Sequence, residues 1–392
     1  MKRVIILIVA AMALSAVRAQ VTMDEALAAI EENNTTLRAY RKAVEAEKCG
    51  NRTGLALPDP EVGVNCLWGS PSEIGRRTDI SVTQTFDIPT LSGAKRRLAD
   101  RKDESAEWQY RIERMGVLLE AKQCLLDIAY YNGLLKELAV RRQNAQAILE
   151  AQKKRLDEGD GNVLEYNNVR LDLSKVLGEI RRVETERAVA GTQLARLNGG
   201  KPLAVGADGF APACPPQDFE QWYRQAEQRS PVIAYLGSNV EAGRRQVALS
   251  KAMSLPTFSV GYMSEKTVGE RYQGISLGVS IPLWGNRNAV RQATKAVEAA
   301  EAQRADAASQ LHGQLKALHQ RAVGLYETAR IYRDALEGSN STALLRKALD
   351  AGEVSVLEYL TQSAIYYDSI DKALSAELDC QKALAELSAY EL

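Results

Sequence analysis

One stretch of this sequence is written twice. LDEGDGNVLEY, from Leu156 to Tyr166, returns as LDAGEVSVLEY from Leu349 to Tyr359, and Ile88-Pro89 at the close of one alternating run returns as Ile281-Pro282. Both displacements are 193 positions (349 − 156 and 281 − 88). Two landmarks with one offset indicate a duplicated unit of about 190 residues, and an internal repeat constrains a fold more than any single motif. A chain of 392 residues would otherwise be divided into two or three domains. Here it reads as two similar halves, 20–200 and 218–392, joined by a Pro- and Gly-rich linker at 201–217.

Residues 1–19 have a basic start (Lys2, Arg3), an apolar run VIILIVAAMAL and the small-residue ending Val17-Arg18-Ala19. That layout predicts a cleaved secretory signal and therefore export. Lys plus Arg and Asp plus Glu each number 50, so loss of Lys2, Arg3 and Arg18 leaves 47 − 50 = −3. No basic face for nucleic acid is implied. After the signal no apolar stretch is long enough for a membrane helix, so the mature chain is either soluble or crosses a membrane as strands. Five scattered cysteines (Cys49, Cys66, Cys124, Cys214, Cys380) lack metal-site or redox-motif spacing. They read as mostly buried small apolar residues.

The eleven prolines leave residues 90–201 and 283–392 without any. Both stretches are rich in Ala, Leu, Glu, Gln, Lys and Arg, which lose least on entering a helix. They predict long helices interrupted only near Gly159 and Gly352. Leu311, Leu315, Leu318, Ala322, Leu325, Ala329, Tyr332 and Leu336 alternate steps of four and three, as in a coiled coil. Leu118, Ala121, Leu125, Ile128, Leu135 and Leu138 do nearly the same. A helix from Ser92 to Leu156 would be about 100 Å long at ~1.5 Å per residue.

Before each rod lies a hairpin, at about 61–88 and 257–282, with residues alternating in period two. One face carries Val62, Val64, Cys66 and Trp68, then Ile80, Val82 and Phe86, then Phe258, Val260 and Tyr262, then Ile275, Leu277 and Val279. The other carries residues such as Asp79, Ser81, Thr83, Thr85, Ser276 and Ser280. Strands of about ten residues suit a tilted crossing of a bilayer, with the first face toward lipid. The alternative is a pair of hairpins capping a soluble bundle. Four strands cannot close a barrel, and an open edge in lipid leaves backbone groups unpaired at several kcal/mol each. If the strands cross a membrane, copies must assemble.

The signal peptide, the repeated order of helix, hairpin, long helix, turn and helix, and tips written as Gly followed by Val-Leu-Glu together resemble the TolC-like outer-membrane efflux family. The resemblance covers about Val21 to Leu392. It is carried most by RLDEGDGNVLEY and ALDAGEVSVLEYL, similar to the family's helix tips, and by FDIPTLSG and SIPLWGNR, similar to its barrel-to-rod transitions. It implies a mainly α fold with a transmembrane β part: a homotrimer with one 12-stranded β-barrel in the outer membrane, continued by a periplasmic α-helical barrel. It also implies a periplasmic adaptor (membrane fusion) protein and an inner-membrane RND or ABC-type pump as partners, in tripartite efflux or type I secretion. Gly159, Val163, Leu164, Gly352, Val356 and Leu357 sit where the family meets its adaptor. Glu165 and Glu358 sit where acidic residues surround the entrance, and Asn168 and Thr361 are neutral where a second acid can occur.

No catalytic or cofactor signature is present, and carboxylates alternate with Lys and Arg along helices as solvated faces do. His312 and His319 are seven apart, too far for a helical metal pair. No enzyme, cofactor or metal is expected. Two functions remain: a passive outer-membrane exit duct, and a periplasmic helical adaptor or scaffold that spans nothing.

Overall fold

A computed structural model of the protein describes residues 22–392 apart from 208, 285, 287 and 338–340. The expected signal segment, 1–19, lies outside the described residues. The chain divides into two units.

The first unit contains residues up to Arg38, Glu113–Ala226 and His312–Leu392. It begins with α1 (Met23–Asn33), whose start is closed by a capping box between Thr22 and Glu25. Thr22 Oγ1 accepts from the Glu25 N–H, and the Glu25 carboxylate accepts from the Thr22 N–H at 2.9 Å, so two otherwise orphaned donors are satisfied. The predicted rod is α3 (Pro89–Asp157, 69 residues), which enters this unit at Glu113 and is followed by the return helix α4 (Val163–Leu197). Ala26 and Ile30 of α1 meet Ala121, Leu125 and Ile128 of α3 and Leu194 and Leu197 of α4 in one buried cluster. The stripe read from spacing is thus the stripe that is buried.

Further along, Leu134 and Leu138 pack on Val183. The later part of the unit holds α5 (Phe219–Arg229), the end of α7 (Ala289–Glu337), α8 (Ser341–Asp350) and α9 (Val356–Leu387). Ala322 of α7 packs against Ala383 and Leu387 of α9. Phe219 lies between the two histidines, with ring centroids 5.4 Å from both His312 and His319. His319 Nε2 also contacts the Pro216 carbonyl at 2.7 Å.

The second unit contains residues 39–112 and 227–311. Most of α2 (Thr35–Arg52) lies beside the first part of α3, linked by Asn51 to Asp103 at 2.8 Å and Arg41 to Tyr110 at 2.9 Å. α6 (Pro231–Ala252) has Pro at its first turn and a Ser230 cap, and lies beside α7, where Arg244 bonds Glu301 at 2.8 Å. Four strands form one antiparallel sheet in the order β1 (Glu61–Trp68), β2 (Arg76–Phe86), β3 (Thr257–Lys266), β4 (Arg271–Ser280). The two predicted hairpins therefore join through β2 and β3, paired from Thr78 with Lys266 to Phe86 with Phe258. Leu91 and Ala94, at the start of α3, pack on Ala252 at the end of α6.

The second rod is described as α7 up to Glu337 and α8 from Ser341 to Asp350, so its continuity toward Gly352 lies outside the described residues at 338–340. One expectation is corrected: the cysteines are not mostly buried. Cys124 and Cys380 are buried, whereas Cys49, Cys66 and Cys214 are exposed, and burial pushes the Cys124 and Cys380 thiols above the usual range.

Candidate functional site

In the first unit the two written-twice segments form two turns. Gly159 (φ 79°) and Gly352 (φ 74°) both take the left-handed conformation that favours glycine. Their hydrogen bonds match one for one. In the first turn Glu158, Gly159 and Asp160 donate to the carbonyls of Lys154, Leu156 and Arg155, and in the second Ala351, Gly352 and Glu353 donate to those of Lys347, Leu349 and Ala348. Each return helix is then capped by a side chain. Asn162 Oδ1 accepts from the Leu164 N–H at 2.9 Å. Ser355 Oγ accepts from the Glu358 N–H at 3.2 Å, and Glu358 Oε2 accepts from the Ser355 N–H at 2.8 Å. Those Ser355 donors hold the Glu358 carboxyl below its ordinary range.

Around these turns Val163, Leu164 and Leu357 are exposed. Val356 is not: it is 2% exposed and belongs to a cluster with Ile148, Val169 and Tyr359. Of the six expected adaptor-facing positions, Val356 alone has its side chain spent on the protein's own core. Glu165 is half-buried and Glu358 exposed. Asn168 and Thr361 are brought together as lining of one open groove with Leu171, Asp172, Lys175 and Leu357.

In the second unit, opposed residues of the sheet share a face, so the pairings define rows. Val62, Val82, Tyr262 and Ile275 form one; Val64 and Ile80 another; Val260 and Leu277 another; Phe86, Phe258 and Val279 another. With Trp68, which follows Val64 at even spacing on β1, all twelve expected lipid-facing side chains lie on one face. Their exposures run from 39% for Phe86 to 80% for Leu277. An exposed apolar area of this extent marks an interaction surface. The opposite face carries Ser81, Thr83, Ser259 and Ser276, interrupted by Leu67 and Met263. There Arg77 Nε lies 2.9 Å from Asp79 and 3.1 Å from Glu265. Gly63, Gly261 and Gly278 are crowded on that side, where an added Cβ would lie 2.8, 2.6 and 2.4 Å from the hydroxyls of Ser81, Ser276 and Ser259.

Residues 222–390 match the outer membrane efflux protein family. That match covers the second half of the chain. The chain's fold is TolC-like. A membrane protein from Pseudomonas aeruginosa superposes with a TM-score of 0.73 at 15% identity, covering 94% of this chain and 93% of the other. The Campylobacter jejuni CmeC outer membrane channel gives 0.69 at 12% identity, over 94% and 85%. The open state of the Neisseria gonorrhoeae MtrE outer membrane channel gives 0.63 at 14% identity, over 94% and 88%. No curated protein matches the sequence.

Sequence reasoning missed one polar constellation in the first unit. Arg141 of α3 is buried and bonds Asp371 of α9 through two nitrogens, at 2.9 and 2.6 Å. It also donates to the Tyr367 carbonyl at 3.2 Å and lies 4.6 Å over the Tyr367 ring. A planar guanidinium suits this fork and stack, and removing Asp371, whose side chain is partly exposed, would leave the buried Arg141 charge desolvated. The available signal was spacing: Arg141 follows Leu134 and Leu138 and precedes Ala145 and Ile148 in steps of four and three, so a charge occupies a seam position. Among the described residues no helix is long and apolar enough to cross a membrane, and none form a cluster suited to a metal ion.

Proposed function

We propose that this protein is the outer-membrane channel component of a tripartite efflux or type I secretion system: a passive exit duct coupled to a periplasmic adaptor and an inner-membrane RND or ABC-type pump. The carrying observation is the sheet, with one exposed apolar face, one largely polar face, and edge strands β1 and β4 that find no neighbour among the described residues. In hydrocarbon those edges must be paired, since each orphaned backbone group costs several kcal/mol. Three copies joined edge to edge supply twelve strands, with Val62, Val64, Trp68, Ile80, Val82, Phe86, Phe258, Val260, Tyr262, Ile275, Leu277 and Val279 toward lipid. The family match supports the efflux role and the outer-membrane location.

The two halves, 20–200 and 218–392, act as repeats of one design, and each turn presents an adaptor contact. Exposed Val163, Leu164 and Leu357 form the apolar part of that contact, Gly159 and Gly352 set its backbone, and Val356 supports it from beneath. Glu165 and Glu358 supply negative charge at the entrance, with Asn168 and Thr361 as the neutral layer one turn on; such rings favour cations.

Cell fractionation followed by molar-mass measurement in detergent tests this function. Recovery in the membrane fraction as three copies is the expected outcome. Recovery in the soluble periplasmic extract would favour an adaptor or scaffold instead, and a single copy in detergent would remove the shared barrel.

A further inference from the structure

The outward face of the sheet changes character at the turn end of the strands. Beyond Val64 and Ile80 comes the row Cys66, Thr78, Lys266 and Arg271, and one step further Arg76 stands opposite Trp68. Paired residues share a face, so Arg76, Lys266 and Arg271 project on the same side as the twelve apolar residues. All three are exposed. Among the described residues none of them is paired with a carboxylate. Arg271 Nε instead donates to Ser264 Oγ on the same face at 3.3 Å.

The acids on the strands of this end lie on the other face: Asp79 and Glu265 are both held by Arg77. The turns add exposed Glu73, between β1 and β2, and Glu270, between β3 and β4, which accepts from the Tyr272 hydroxyl at 2.6 Å. Alternation has therefore sorted the strand charges by face, with three cations outside that form no ion pair among the described residues and a compensated cluster inside. Cations are costly at hydrocarbon depth but favourable at its margin, where anionic headgroups meet them. The exposed Trp68 beside Arg76 has the amphipathic ring that suits the same margin.

Lys266 and Arg271 are direct neighbours, about 5 Å apart between strands, and Arg76 stands about 7 Å further along the strand direction than Thr78. That spread exceeds what one phosphodiester covers and suits two phosphates on one headgroup. We propose that Arg76, Lys266 and Arg271, flanked by Trp68, bind the phosphates of a bisphosphorylated lipid A glycolipid in the outer leaflet. The assignment rests on the channel function proposed above, which sets the strand turns on the outer side of the membrane.

The detergent-purified protein is incubated with bisphosphorylated lipid A, monophosphoryl lipid A or phosphatidylglycerol, and retained lipid is counted by native mass spectrometry. Retention should fall in that order. The triple variant Arg76→Ser, Lys266→Ser, Arg271→Ser should bind bisphosphorylated lipid A at least about tenfold more weakly, matching the loss of two or more charged contacts. Arg77→Ser removes one cation from the other face and should leave retention unchanged. The single variant Lys266→Ser, which deletes one exposed side chain, should weaken retention several-fold. Equal retention by the triple variant, or of phosphatidylglycerol by the wild type, would overturn the site while leaving the channel intact. Release of the wild type without detergent would overturn the channel itself.

Discussion

The turn at 157–163 and the turn at 350–356 share a backbone but not a fate. Both place glycine at positive φ, both repeat the same three hydrogen bonds 193 positions apart, and both hand over to a side-chain cap. Yet Val163 is 56% exposed, whereas its counterpart Val356 is 2% exposed against Ile148, Val169 and Tyr359. Gly161 corresponds to Val354, and a Cβ at 161 would lie 2.5 Å from the Leu156 nitrogen, so the first loop runs closer to its own helix. Glycine and cap specify the turn locally. Burial is decided by which helices arrive around it, and the recurring local sequence does not fix those.

Four comparisons bear on this difference. The largest effect is expected from Val356→Asp, which buries an unpaired carboxylate and should lower stability by about 3 kcal/mol or more. Val163→Asp should stay within about 0.5 kcal/mol, and thermal unfolding of the two variants followed by circular dichroism compares them directly. If both turns responded alike, burial would not be what separates them. Next comes Gly161→Val, which copies the second turn into the first. Overpacking against backbone should cost about 1–3 kcal/mol, while the reciprocal Val354→Gly should cost less than about 1 kcal/mol in the same melts.

Loss of a cap is smaller. Ser355→Ala and Asn162→Ala should each cost about 1 kcal/mol, with Ser355→Ala the larger because it dismantles a reciprocal pair. The smallest expected difference is pH-dependent. Because the folded-state pKa of Glu358 is depressed, its capping contribution is present near neutrality and is lost as pH falls through the carboxylate range. Melting temperature against pH should thus slope downward toward acid more steeply in the wild type than in Glu358→Gln; parallel curves would show that the carboxylate contributes nothing to the cap.

Local rules made much of the fold legible. Alternation of Ile80, Val82 and Phe86 against Ser81 and Thr83 is a strand signal that needs no partner to be read. The steps joining Leu118, Ala121, Leu125 and Ile128 marked a face that is in fact buried. Pairing across long separations left no such trace. Nothing within β2 or β3 alone states that Thr78 meets Lys266, and nothing around Arg141 states that Asp371, 230 positions away, completes its charge. At the turns, Gly159 and Gly352 were recognisable from residue type alone, whereas the exposure of Val163 and the burial of Val356 depend on neighbours supplied by distant parts of the chain.

Missing methyl groups on one side of the sheet also govern how it can bend. Gly63, Gly261 and Gly278 leave room for strands to close in toward the polar side, where even one added carbon would strike a serine hydroxyl. In the barrel proposed above, such a ladder of strands would join copies head to tail, and that joining ends in a ring only when the curvature is tight enough; otherwise it runs on as a fibre. A methyl group at Gly261 would then flatten the ladder at its centre and turn the proposed self-limiting assembly into an open-ended one.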